Sequence, residues 1–223
     1  MYGFFTITLF VNIQIPSYFI SICFQFIAYL WFTKKLIFKK KFMKTYISIL
    51  RGINVSGKNR IKMDELKHVY LDLKFKNCET YIQSGNAVFQ YKDADVVVLG
   101  KLISKKIASH FGFEVPVLVI GVDDFKSIAL QNPFVNLRSE DPSKLHVTFL
   151  ADQPETTNLK KLREVNSGKD EFEIQGKAIY LFCPEGYGNT KLSNNFFESK
   201  LKQVSTTRNW KTVNELLRMA ENL

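Results

Sequence analysis

The stretch YISILRGINVSGKNRIKM at residues 46–63 decides the fold, together with CETYIQSGNAVFQY at residues 78–91. The first stretch is a short apolar run that ends in a loop with two glycines, which is typical of a strand followed by a turn. In the second stretch, Ser84-Gly85-Asn86 separates two strand-like runs and predicts a hairpin with positive φ at the glycine or the asparagine. Between the two stretches, apolar spacing from Met63 to Phe75 predicts a helix.

The pattern extends to a complete unit and then recurs. An amphipathic helix is predicted over residues 95–111 and a strand over residues 115–122, so the order is βαββαβ, which is typical of a ferredoxin-like unit. The same order recurs over residues 144–223, where an extra C-terminal helix follows. We therefore predict an α+β fold of two ferredoxin-like units in tandem, at 43–122 and 144–223, with a short helix and linker at 123–143.

Residues 1–42 have a different composition from the rest of the chain. Phe4 to Phe32 carries no charged side chain and is long enough to span a bilayer, and five lysines follow it. The positive-inside rule would keep those lysines, and the folded units, in the cytoplasm on an inner-membrane anchor. A second interpretation is that translation starts at Met43 and residues 1–42 are a spurious upstream extension. In either case we predict that the folded units are cytoplasmic and fold without residues 1–42.

Charge and strand composition disfavour nucleic acid as the partner. The net charge is +10, but residues 1–42 contribute five lysines and no acid, which leaves 26 basic and 21 acidic side chains elsewhere. The RNA-recognition module is also βαββαβ, and its third strand exposes aromatic side chains on which bases stack. Here Asn86 and Val88 stand at those positions. Nucleic-acid binding is therefore kept only as an alternative.

No recognisable catalytic or metal-binding motif is present. The three cysteines are far apart, without a CxxC pair, and the three histidines fall at no metal-ligand spacing. We therefore predict no metal and no cofactor. An enzyme of unknown reaction stays an alternative, because no nucleophile or acid–base pair identifies a chemistry.

The best candidate site combines a basic loop with the predicted hairpin. The loop from Arg51 to Arg60 precedes a helix and holds two glycines, so its backbone amides are suited to an anion. The alternative is that these glycines serve only a tight turn, and that Asn209 and Trp210 cap and anchor the last helix. The predicted ligand-binding residues are Arg51, Asn54, Lys58, Gln83, Ser84, Asn86, Lys191 and Arg208.

Four motifs resemble one known family. They are RGINVSGKN at 51–59, TYIQSGNAVF at 80–89, NPF at 132–134 and TTRNWKTV at 206–213. Together they resemble the bacterial domain-of-unknown-function family 1697, from Met43 to the C-terminus. Ser56 stands where that family usually has glycine, and Thr190-Lys191-Leu192-Ser193 resembles its Ser-Lys-Leu segment with one change. The resemblance implies two ferredoxin-like units and no established activity.

The function predicted from the sequence is binding rather than catalysis. Interdomain grooves are common ligand sites, so we expect a small anion or small molecule to bind in the groove between the two units. A homodimer through a sheet face is the predicted assembly. A membrane is a partner only if residues 1–42 are translated.

Overall fold

The computed structural model describes residues 43–55 and 57–223. Both interpretations of residues 1–42 lie outside the described residues. Met43 to Leu223 form one compact unit. The predicted α+β class is confirmed, since the described residues form two four-stranded antiparallel sheets and seven helices. None of those helices is both long enough and apolar enough to cross a bilayer.

The first sheet has the strand order β2-β3-β1-β4. Its strands are β1 (Met43–Leu50), β2 (Lys76–Tyr81), β3 (Asn86–Lys92) and β4 (Val117–Gly121). Helix α1 (Met63–Asp72) connects β1 to β2, and α2 (Val96–Phe111) connects β3 to β4. Asp95 caps α2, because its carboxylate accepts the N–H groups of Val97 and Val98 at 2.9 Å.

Two helices and a loop connect the sheets. Helix α3 (Val122–Leu130) was predicted as a short helix from Asp123 to Leu130, whereas α4 (Pro133–Asn136) falls in the stretch predicted as linker. α4 forms because Asn132 accepts the N–H of Phe134 at 3.1 Å, and because proline is well suited to the first helical position. The asparagine and proline that end α3 therefore also start α4.

The second sheet repeats the arrangement with the order β6-β7-β5-β8. Its strands are β5 (Leu145–Leu150), β6 (Glu171–Gln175), β7 (Ala178–Phe182) and β8 (Ser205–Asn209). Helix α5 (Thr156–Arg163) connects β5 to β6, α6 (Asn194–Leu201) connects β7 to β8, and α7 (Trp210–Glu221) ends the fold. Asn209 caps α7 by accepting the N–H of Thr212 at 2.8 Å, as the sequence predicts.

The buried side chains form three clusters, one of which both sheets share. Alternation along β1 sends Tyr46 and Leu50 to a cluster with α1 and α2, and Ile47 and Ile49 to the shared core. A third cluster lies between the second sheet and helices α5 and α6. In the shared core, which also contains α3 and α7, Phe125 stacks on Phe149 with ring centroids 5.3 Å apart. Each such buried aromatic side chain contributes roughly 1.5–3 kcal/mol, so this core holds the two halves together.

The predicted positive φ in the first hairpin is confirmed at Gly85, where φ is +77°. A Cβ at this position would lie 2.5 Å from Cδ1 of Ile53 and 2.9 Å from Cβ of Leu50. The hairpin turn is therefore packed against the end of β1 and the loop that follows it. Both the backbone conformation and the available space require glycine.

We expect Gly85→Ala to destabilise the protein more than Gly112→Ala, which adds a methyl group at almost the same φ of +79° with no atom within 4 Å. Left-handed backbone alone costs about 1–2 kcal/mol, and overpacking at Gly85 adds roughly 1–3 kcal/mol. Urea denaturation of both variants measures the difference. Equal losses of stability would show that the hairpin moves away from Ile53 and Leu50 at no cost.

Candidate functional site

Arg208 on β8 is buried where the first hairpin and the end of β1 meet the second sheet. Its side chain is only 8% exposed. All five guanidinium N–H groups donate to protein acceptors at 2.6–2.9 Å: Oδ1 of Asn86, Oγ1 of Thr206, and the carbonyl oxygens of Thr207, Leu50 and Ser84. Three of these acceptors belong to the first sheet and its hairpin, so Arg208 bridges the two halves of the fold.

The acceptors of Arg208 are all neutral. Burial and, secondarily, the nearby guanidinium of Arg51 lower the pKa of Arg208 to about 10, so it remains charged near neutral pH. A buried cation is tolerated only when its donors are satisfied, and here five hydrogen bonds take the place of a counter-ion. In this conformation Arg208 has no free donor for a ligand.

Arg51 makes a second connection between the halves, at the end of β1. Its Nε and Nη2 donate to the two carboxylate oxygens of Glu198 on α6, at 3.2 and 3.1 Å. Nη2 also donates to Oδ1 of Asn195 at 2.7 Å, and the same carboxylate accepts the N–H of Ser205 at 2.9 Å. The pair is about one quarter exposed. We call the contacts of Arg51 and Arg208 the arginine junction.

Asn54 organises the basic loop from within. Its Nδ2 donates to the carbonyl oxygens of Ile61 at 2.9 Å and Gln83 at 2.8 Å, and its Oδ1 accepts the N–H of Ile61 at 2.9 Å. The loop is therefore attached to the hairpin. Lys58 is exposed on this loop, and its backbone N–H donates to Val55 at 3.0 Å.

Lys191 lies elsewhere in the second half of the fold. It lines a polar cavity of about 410 Å³ together with Lys169, Asp170 and Glu185, and none of the other seven predicted residues lines that cavity. The structure thus joins Arg208 to Asn86 and Ser84, and Asn54 to Gln83, but it does not bring Lys58 and Lys191 into these contacts. A ligand-binding role for the eight residues stays a prediction.

Sequence reasoning missed the acceptors of Arg51. Asn195 and Glu198 lie three residues apart, on one face of a helical segment, which is the one local sign that they act together. Nothing in the sequence relates this pair to an arginine almost 150 positions earlier, because the contact exists only after both halves have packed.

His146, which is buried, and Tyr187, which is half-buried, form an aromatic pair in the second half. Their rings stack with centroids 4.7 Å apart. Nδ1 of His146 and the hydroxyl of Tyr187 are buried and have no hydrogen-bond partner among the described residues. Burial lowers the pKa of His146 and raises the pKa of Tyr187, because a charge on either ring would be poorly solvated.

A cleft follows the free edge of β4. One cavity, of about 380 Å³, is lined by Ile120 and α3 from the first half and by Ala151 and the β6–β7 turn from the second half. An adjoining cavity of about 420 Å³ lies against α2 and also borders Ala151. We call the two cavities together the β4 cleft. Its walls are mostly apolar, and Asp124, Ser127, Gln131 and Lys177 supply polar groups.

The sheet face that an RNA-recognition module would use is covered in this fold. Asn86 and Val88 are fully buried, and Val88 belongs to the shared core. In the described part of the chain, each sheet has helices on one face and the shared core on the other. A homodimer would therefore need another surface, such as a strand edge, and it stays a prediction.

We expect acidification to destabilise the protein partly through His146. Its folded pKa lies below the ordinary value of 6.5, so as the pH falls through that value the unfolded chain binds a proton that the folded chain does not, and stability is lost. His146→Phe keeps the stacking on Tyr187. Between pH 7 and pH 5 its unfolding free energy, measured by urea denaturation, should fall less than that of the unmodified protein. His68→Gln, at an exposed position, is the control. An unchanged pH dependence in His146→Phe would contradict the assignment.

We expect Arg208→Met to lower the unfolding free energy by at least about 2–4 kcal/mol, because buried carbonyl and amide oxygens lose their donors. Arg208→Lys should cost nearly as much, since three donors cannot serve five acceptors. The control is Arg138→Met, which removes a partly exposed arginine bonded to Glu140 and Glu171 and should cost about 1 kcal/mol or less. Chemical denaturation measures all three; equal losses for Arg208→Met and Arg138→Met would show that the buried bridge is dispensable.

Comparison with known proteins agrees with the motifs. Residues 43–180 match the family described as "Protein of unknown function (DUF1697)", and no curated protein matches the chain. Among solved structures the chain is similar to the conserved bacterial protein SP0830 from Streptococcus pneumoniae, with 23% identity, a TM-score of 0.65, and coverage of 80% of this chain and 99% of that chain. At this identity the likeness shows the fold alone. The resemblance drawn from the sequence is confirmed, and the chain belongs to the DUF1697 family.

Proposed function

We propose that this protein binds a small molecule in the β4 cleft, between two ferredoxin-like units. The ferredoxin-like assignment is supported by the βαββαβ connectivity of both halves and by their equivalent strand orders, β2-β3-β1-β4 and β6-β7-β5-β8. The units are the predicted ranges 43–122 and 144–223, each of which contains one sheet. A cleft bordered by both units is a common place for a ligand.

The observation that carries the proposal is the lining of the 380 Å³ cavity. Its volume is within the range of about 300–1,000 Å³ that is usual for ligand pockets, which are mostly apolar with a few polar groups. Apolar side chains of β4, α3 and β5 form its walls, and polar groups come from α3 and the β6–β7 turn. This combination suits a ligand with an apolar body and polar ends.

An anionic end would have a cation available in the cleft. Lys177 pairs with Asp152 at 3.1 Å, and both side chains are more than half exposed. Exposed pairs contribute only about 0–1 kcal/mol, so an anion can replace Asp152 at small cost. At the arginine junction, by contrast, an anion has to displace Glu198 from Arg51 or one of the five acceptors of Arg208. The β4 cleft is therefore the better site.

We expect a thermal-shift screen of the full chain to identify ligands among amphipathic carboxylic acids, mononucleotides and sugar phosphates, with short oligonucleotides as the nucleic-acid arm. A ligand at one hundred times its Kd stabilises by about 2.7 kcal/mol. For a domain of this size that free energy raises Tm by about 5–10 °C.

Three variants locate the binding of any ligand found. Ala151→Trp fills the space between the two cavities and should abolish the shift. Leu137→Trp, at a position that is 82% exposed, should leave the shift intact, and so should Arg51→Ala. If the shift survives Ala151→Trp but disappears in Arg51→Ala, the ligand binds at the arginine junction and the proposal is wrong. It is also wrong if no compound shifts Tm.

A further inference from the structure

The edge of β4 that faces the cleft carries backbone groups arranged for another strand. β4 is the last strand of its sheet and pairs with β1 alone. Arg51 N–H donates to the carbonyl of Pro116 at 2.9 Å. In an antiparallel ladder, pairs that exchange hydrogen bonds alternate with pairs that do not. Because the Arg51–Pro116 pair is hydrogen-bonded, Leu118 and Ile120 direct their backbone groups at β1. The backbone groups of Val117, Val119 and Gly121 therefore point at the cleft.

The most accessible of these groups are the N–H and C=O of Val119 and the N–H of Gly121. They point away from β1, which is the one strand that pairs with β4, and they take part in none of the other backbone hydrogen bonds of residues 43–55 and 57–223. The carbonyl of Val117 is covered by α2, where a Cβ on Gly100 would lie 2.7 Å from it. An incoming strand would therefore make its two-bond pair at Val119, in the middle of the five-residue β4.

The two cavities lie where the side chains of an added strand would point. Successive side chains of a strand point to opposite faces of the sheet. One cavity borders α2 on the helical face, and the other borders α3 and the β6–β7 turn, on the side of the second half. Both cavities are lined by Leu118 and Val119. Alternate side chains of a bound strand would thus enter one pocket, and the side chains between them would enter the other.

Charges at the two ends of β4 give the cleft a direction. Lys101 lines the cavity beside Val117, and Oδ2 of Asp124 lies 3.9 Å from the Cβ position of Gly121. Neither side chain is in an ion pair in the described part of the protein. The other two charged side chains that line the cavities, Asp152 and Lys177, pair with each other and so leave Lys101 and Asp124 to set the direction. A strand antiparallel to β4 would begin near Gly121 and end near Val117. Its amino end would meet a carboxylate and its carboxyl end an ammonium.

We propose that the β4 cleft binds an extended peptide as a fifth strand, antiparallel to β4. The peptide has about five residues, apolar alternate side chains, a cationic amino end and an anionic carboxyl end. Main-chain hydrogen bonds to Val119 hold the strand, and the two pockets select its side chains. This inference rests on the proposed function, because it names the class of ligand for the same cleft.

Calorimetric titration of the full chain with the peptide Lys-Val-Thr-Val-Glu tests the inference. Methylation of the central amide nitrogen removes the donor to the carbonyl of Val119 and should weaken binding at least about tenfold. Reversal of polarity in Glu-Val-Thr-Val-Lys should weaken binding by about threefold to fivefold, the range typical of exposed charge pairs. The double variant Lys101→Glu, Asp124→Lys should invert that preference. Both positions are exposed, so the variant is expected to fold.

The outcomes separate this inference from the proposed function. If the methylated and unmethylated peptides bind equally, and Ala151→Trp abolishes both, the cleft is a ligand site but the strand arrangement is overturned. If no peptide binds while small molecules bind and lose their effect in Ala151→Trp, the inference alone is overturned. If peptides bind equally well to Ala151→Trp, they bind outside the cleft, which overturns the inference and leaves the thermal-shift screen to decide the proposed function.

Discussion

The relative position of the two sheets depends on one buried cation. Arg208 directs its donors at Asn86 and at the carbonyls of Leu50 and Ser84, so the end of β1 and the first hairpin have one position relative to β8 in which all five hydrogen bonds form. The apolar contacts of the shared core supply most of the association energy but tolerate small displacements. Hydrogen bonds from a buried charge do not tolerate such displacements, because a buried donor without an acceptor is costly. The core thus provides stability, and the arginine fixes the geometry.

This arrangement determines which surfaces remain for function. A single βαββαβ unit leaves one sheet face open, and here both such faces are covered by the shared core with α3 and α7. What is left in the described residues is a set of strand edges, and β4 has the edge that borders a cleft between the halves. A binding function built on this fold is accordingly expected at an edge rather than on a face.

Local sequence predicted the features that depend on local chemistry. Gly85 in the hairpin and Asn209 before α7 followed from turn and cap preferences. The strand before the hairpin was predicted from Thr80 to Gln83, whereas β2 begins four residues earlier, at Lys76. Asn77 has a positive φ of 47° and the pairing register shifts before Glu79, which obscures the strand pattern. The largest difference concerns Arg208. Its charge is visible in the sequence and suggested a ligand, whereas three of its five partners lie more than 120 positions away and are known only from the structure.

The recessed position of β4 also bears on how copies of this protein behave at high concentration. A free strand edge ordinarily invites pairing with the edge of another molecule, which leads to aggregation. Here α2 lies on one side of the edge, and α3 and the β6–β7 turn lie on the other. A whole sheet brings its own helices and cannot enter so narrow a space, whereas a single extended chain can. The walls of the cleft would thus restrict pairing at this edge to thin, extended chains and disfavour self-association through β4, whatever the other strand edges do.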